Sequence, residues 1–252
     1  MDDFMELDIG RVSTDSFGTL INNRTVAIFV IIGVAFATAL SAVLATELQP
    51  LLIEISSGTL PSLTVLESFA SLLEIGLTVI IISYLFGIFI AGGVISSADA
   101  GSKADFVSAA KNSLERFFYL IATSILFSII FLIGLVCLII PGLYLYVRLC
   151  LAYPETVINK KGPIEALKSS WAATKGNELQ IFAILAIVEI IVFVIGLMAG
   201  ALAYAGAAAQ IVGIFISGFF GYALIISEVL IYEALKPVSM PAESKAKPKA
   251  KK

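Results

Sequence analysis

Histidine is absent from this chain, and with it go most of the chemistries an intramembrane enzyme uses. A serine hydrolase of the Ser–His type has no base, and a zinc site built on HExxH has no ligands. A phosphohistidine-forming lipid phosphatase has no nucleophile. Aspartate is nearly as scarce. Beyond residue 15 it occurs only as Asp99 and Asp105, both between apolar runs, so a pair of intramembrane aspartates is excluded. No glycine-rich phosphate loop ending in Lys-Ser/Thr occurs. Cys137 and Cys150 are the only cysteines. Their spacing fits no metal or redox motif, and they read as small buried hydrophobes. Catalysis, metal ions and cofactors are therefore not expected.

Charge is the other scarcity. Only 14% of the 252 residues are charged while 59% are hydrophobic, and mean hydropathy is +1.02. A soluble domain of this length needs far more charge to cover its surface. A net charge of −3 gives no reason to expect a nucleic-acid partner. The start, MDDFMELD, lacks the basic region of a secretory signal, so the first apolar run is expected to remain in the mature protein.

What the chain has in abundance is apolar runs long enough to cross a hydrocarbon core of ~30 Å. Span 1 is read as Thr25 to Ala45 and span 2 as Ile75 to Val94. An uncharged run from Phe117 to Val147 is too long for one upright helix. Pro141 and Gly142 are expected to break it, because proline cannot continue a helical ladder and glycine permits a turn. Span 3 is then Phe117 to Ile140, and span 4 runs from near Leu143 to about Ile158, with a second proline, Pro154, inside it. Spans 5 and 6 run from about Leu179 to Ala203 and from about Gln210 to Tyr232, joined by a tight YAGAAA hairpin.

The 16 basic residues test this count. With six spans, all except Arg148 fall on one side, which the positive-inside rule makes cytoplasmic. With five spans, the groups after residue 158 would move outside. The expected class is thus an all-α polytopic integral membrane protein of the cell membrane: six transmembrane helices, cytoplasmic amphipathic helices, and both termini cytoplasmic. Residues 1–24 form an N-terminal amphipathic segment, 25–235 the membrane domain, and 236–252 a disordered basic tail. The acidic loop from Thr46 to Glu74 reads as solvated, with a short interfacial helix after Pro61. Small residues such as Gly196 and Gly200, or Ser217 and Gly221, suggest close helix packing.

Three stretches repeat one plan, an amphipathic lead followed by an outward span and a return. The leads are RVSTDSFGTLINN, FVSAAKNSLERFF and IEALKSSWAATKGN. In the third, Ile164, Leu167 and Trp171 are expected on one face, toward lipid or the bundle, with Lys168 and Lys175 elsewhere on the helix; Trp171, Lys168 and Lys175 are read as interfacial.

PGLYLYVRLCLAYPETVI and GPIEALKSSWAATKGN carry Pro141, Tyr144, Arg148, Pro154, Gly162, Ala166, Leu167, Ser170, Trp171 and Gly176. With these residues the chain resembles a widespread family of prokaryotic membrane proteins. That family includes the membrane domain attached to some glycerophosphodiester phosphodiesterases and many stand-alone proteins of unassigned function. The resemblance implies a six-helix membrane domain and no catalysis. The phosphodiesterase chemistry of fused relatives belongs to a soluble barrel, and no stretch here has its length.

Three ionisable residues lie deep in spans: Arg148, Glu189 and Glu228. Each is costly in hydrocarbon. Counted along continuous helices, Arg148 and Glu189 both lie about 16 Å above the cytoplasmic ends of their spans. An Arg148–Glu189 pair facing the bundle interior follows, with Glu228 beside it. Two roles stand open for this cluster: a structural clasp, or a polar cavity for a lipid headgroup or small anion. The leading functional reading is a non-enzymatic membrane domain that binds or organises membrane lipids or a protein partner. The alternative is a transporter centred on the three charges.

Overall fold

A computed structural model describes residues 7–56, 63–202 and 206–236, and among these every regular element is helical. In chain order they are α1 (Ile9–Asn22), α2 (Arg24–Ser56), α3 (Leu63–Ala100), a 3₁₀ turn (Gly101–Lys103), α4 (Phe106–Cys137), α5 (Ile139–Leu149), α6 (Ala152–Val157), α7 (Pro163–Ala173), α8 (Glu178–Ala201), α9 (Ala207–Gly221) and α10 (Ala223–Leu235). Five helical stretches are long and apolar enough to cross a membrane, lying along α2, α3, α4, α8 and the joined α9–α10. The chain is a multi-pass membrane protein. Its outward surface fits that solvent: Phe118, Val136, Ile140 and Leu179 are each at least 80% exposed, as suits side chains facing hydrocarbon.

The sixth crossing expected from sequence is not a long helix. The chain reverses at Leu138, which is fully extended (φ −179°, ψ 155°), three residues before Pro141. Pro141 itself sits in the first turn of α5, where a missing N–H costs nothing. The break expected at Pro141–Gly142 thus falls earlier. Gly142 is helical, and its role is contact. A Cβ on Gly134 would lie 2.9 Å from the Gly142 Cα, and one on Gly142 would lie 2.8 Å from Leu135 Cδ2. These two glycines let α4 and α5 touch. The return is antiparallel: Phe131 and Phe127 pack edge-on against Tyr146, Phe127 also meets Tyr153, and Thr123 hydrogen-bonds Thr156 at 3.1 Å. α5 and α6 together therefore run back beside α4 in two short pieces.

Other boundaries also move. α4 begins at Phe106, so the second amphipathic lead is continuous with its span, whereas the first and third are the separate helices α1 and α7. Much of the acidic loop is helix, because α2 runs to Ser56 and α3 starts at Leu63; among the described residues no separate interfacial helix precedes the span. Cys150 is buried but Cys137, the last residue of α4, is exposed beside the turn. Gly196, Gly200 and Gly221 face open space; it is Gly213 that meets α8, at the Ala199 carbonyl. The basic tail from residue 237, and residues 203–205 at the start of the expected hairpin, lie outside the described residues.

The main core gathers Leu20 of α1, Phe29 of α2, Ile90 and Ile95 of α3, Leu120 of α4, Val157 of α6 and Ile226 of α10. At one end of the bundle Asn23 closes the α1–α2 turn. Its amide donates to the Ser97 and Gly101 carbonyls, and its oxygen accepts from the Thr25 and Val26 N–H groups. Lys160 lies at that same end, where it lines one 440 Å³ cavity with Lys103 and Lys111.

Candidate functional site

The site grows from a second break, between α5 and α6. Pro154 is the third residue of α6; it has no N–H, and its ring excludes a helical carbonyl four residues back. The ladder stops at Cys150–Leu151, and backbone groups there need other partners. The Cys150 thiol donates to the Val147 carbonyl at 3.1 Å. The Leu151 N–H donates to Ser170 Oγ at 3.1 Å. The Arg148 carbonyl accepts from Ser170 Oγ at 2.9 Å and Thr174 Oγ1 at 3.2 Å. Pro154 thus marks a break that lies upstream of it, and α7 supplies the hydroxyls that repair it.

α7 reaches this position because Gly162 and Pro163 start it and three of its four buried residues, Ala166, Ser170 and Ala173, are small, beside Leu167. It ends into Gly176, whose φ of +90° suits glycine and turns the chain into α8. Glu178 is the first residue of α8, where a negative charge meets the positive end of the helix dipole. One of its oxygens accepts from the Gly176 N–H at 2.9 Å, and the other accepts from Arg148 Nη1 at 2.7 Å. The Arg148 guanidinium carbon lies 4.4 Å from the centroid of the Trp171 ring and 6.0 Å from that of Tyr144. Its side chain is 3% exposed and that of Glu178 31%. Arg148 Nε is buried without a hydrogen-bond partner among the described residues. A cation is thus held between a carboxylate and an indole, binding α5, α7 and α8 together.

A second polar knot lies next to it. Glu155, 1% exposed, pairs with Lys161 Nζ at 2.9 Å and accepts from Asn159 and Ser169. These contacts hold the turn in which Lys160 takes φ +56°.

The sequence-derived cluster does not assemble as expected. Arg148 pairs with Glu178, not Glu189. Arg148 and Glu189 do not share a level, because no continuous helix runs from Asn159 up to Arg148. The chain is interrupted there, and Arg148 meets the first residue of α8 rather than its middle. Glu189 is exposed on α8, Glu228 is buried on α10, and neither has a hydrogen bond or ion pair among the described residues. The interfacial residues also regroup. Ile164, Lys168, Trp171 and Lys175 are all exposed, spaced four, three and four residues apart, whereas Leu167 is 8% exposed and turned inward. Lys168 therefore shares the face of Trp171, and Lys175 extends it just past the helix end.

Residues 119–240 match the family model for the membrane domain of glycerophosphoryl diester phosphodiesterase. Comparison with curated proteins and with solved structures gives no match. The region that matches this membrane domain holds the whole clasp. Arg148, Ser170, Trp171 and Gly176, scattered in the resemblance, meet in three dimensions through hydrogen bonds and the Arg148–Trp171 contact, beside the break that Pro154 marks. Sequence reasoning missed Glu178 and Thr174. Glu178 carried a signal, as an acid opening an apolar run right after a Lys-Gly-Asn turn.

Proposed function

We propose that this chain is a non-enzymatic membrane domain that binds anionic lipid headgroups along α7, on the cytoplasmic face of the cell membrane. The observation that carries the reading is the exposed stripe Ile164, Lys168, Trp171 and Lys175. It joins an apolar residue, an indole and two ammonium groups on one face, which is the composition of an interfacial helix on an acidic leaflet. Each lysine near such a surface adds ~1 kcal/mol of attraction. The clasp supports the same reading, because Trp171 and the helix behind it are fixed to the bundle by Arg148, Ser170 and Thr174.

A six-crossing topology goes with this reading. The antiparallel return of α5–α6 along α4, and the position of Lys160 beside Lys103 and Lys111, favour both termini lying on the cytoplasmic side. The transporter alternative loses its anion ligand, since Arg148 is committed to Glu178.

Native mass spectrometry from nanodiscs of mixed phosphatidylglycerol and phosphatidylcholine tests the lipid reading. Phosphatidylglycerol should be retained preferentially, and Lys168→Ala with Lys175→Ala should remove the preference. Equal retention of both lipids by the unaltered chain would reject it.

A further inference from the structure

Between α5 and α8 lies a groove of about 530 Å³, a size typical of small-molecule sites. Its lining is apolar and aromatic, with Phe131, Tyr146 and Phe182, and its one charged residue is Glu189. Phe182, Glu189 and Ile190 are exposed, so the groove opens on the lipid-facing side of α8. Along α8, Glu189 is about 16 Å from Glu178, well inside the hydrocarbon. It has no ion pair or hydrogen bond among the described residues, and Glu228 has none either. Tyr146 is within electrostatic range of both carboxylates.

No basic residue is among those that line the groove, and neither carboxylate has a salt bridge among the described residues. Arg148 is held by Glu178, and Arg24, Lys103, Lys111 and Lys160 gather at one end. A second copy lying parallel in the membrane would bring no basic side chain to this depth. Bilayer lipids keep their ammonium groups at the interface. What fits is a cation that itself partitions into hydrocarbon.

We propose that the α5–α8 groove binds a lipophilic organic cation entering from the bilayer. Glu189 at the mouth supplies the opposite charge, and the rings of Phe131, Tyr146 and Phe182 lie against the apolar body of the ligand. Aromatic faces attract cations as well as apolar surface. The site is separate from the lipid-binding face of α7.

The test is equilibrium binding of tetraphenylphosphonium to the full chain in detergent, with tetraphenylborate as a probe of the same shape and opposite charge. Saturable binding of the phosphonium at one per chain is expected, with borate binding at least tenfold weaker. Glu189→Gln should weaken phosphonium binding at least tenfold without changing the melting temperature, and Lys168→Ala should leave it unchanged. Equal binding of the two ions would overturn the proposal, as would absence of saturable binding. Neither result depends on a variant folding, and neither bears on lipid retention at α7.

Discussion

A guanidinium buried at 3% exposure is stable only with its partners in place. Arg148→Ala leaves Glu178 without its cation and Trp171 without the group stacked on it. Loss of one partner of a buried pair costs about 3–5 kcal/mol, and the part exposure of Glu178 draws the figure to the lower end. Reversible unfolding in mixed micelles should show this loss. A double-mutant cycle of Arg148→Ala with Glu178→Ala should give a coupling above ~1 kcal/mol; additive effects would mean that the pair contributes nothing. At this scale the sequence was half legible. A lone arginine in an apolar run announces itself by cost, and so do Glu189 and Glu228. The pairing was not legible, because it depends on where the helix around Arg148 stops, and Pro154 stops it from six residues downstream.

Elements were read best where apolar length alone decides them, as for α8, whose bounds match the expected fifth span within a few residues. They were read worst where proline and glycine act by contact rather than by breaking. Pro141 is accommodated in a first turn, and Gly142 permits helix contact without bending anything. Gly142→Leu should therefore separate α4 from α5 and destabilise by about 1–3 kcal/mol, as overpacking does. Gly200→Ala, with open space around its Cβ, should not lower the melting temperature in the same detergent. A large loss at Gly200 and none at Gly142 would show the hairpin packing to be wrong. The glycine pairs picked by spacing failed because spacing says which residues share a helix face, not which face has a neighbour.

For the whole molecule, the expectation of six crossings came from charge segregation. It rests on the distribution of 16 basic residues rather than on any one of them. It requires six crossings, and the structure supplies five long helices plus a return made of two short ones. Membrane-impermeant maleimide labelling decides this, with single cysteines placed in a Cys137→Ser, Cys150→Ala background. Lys160→Cys should be protected in intact cells and react after permeabilisation, whereas Ser57→Cys should react from outside. Lys160→Cys reacting from outside would mean that α5–α6 does not complete a crossing.

The clasp has one more property, and it is optical. Trp171 is the only tryptophan in the chain, and it lies against Arg148. When excited at the red edge of protein absorbance, the molecule emits from that one indole. Its ultraviolet fluorescence then reads the joint between α5, α7 and α8 and nothing else. Any event that loosens this joint, or brings a lipid headgroup against it, can be followed in purified protein or reconstituted vesicles without attaching a dye.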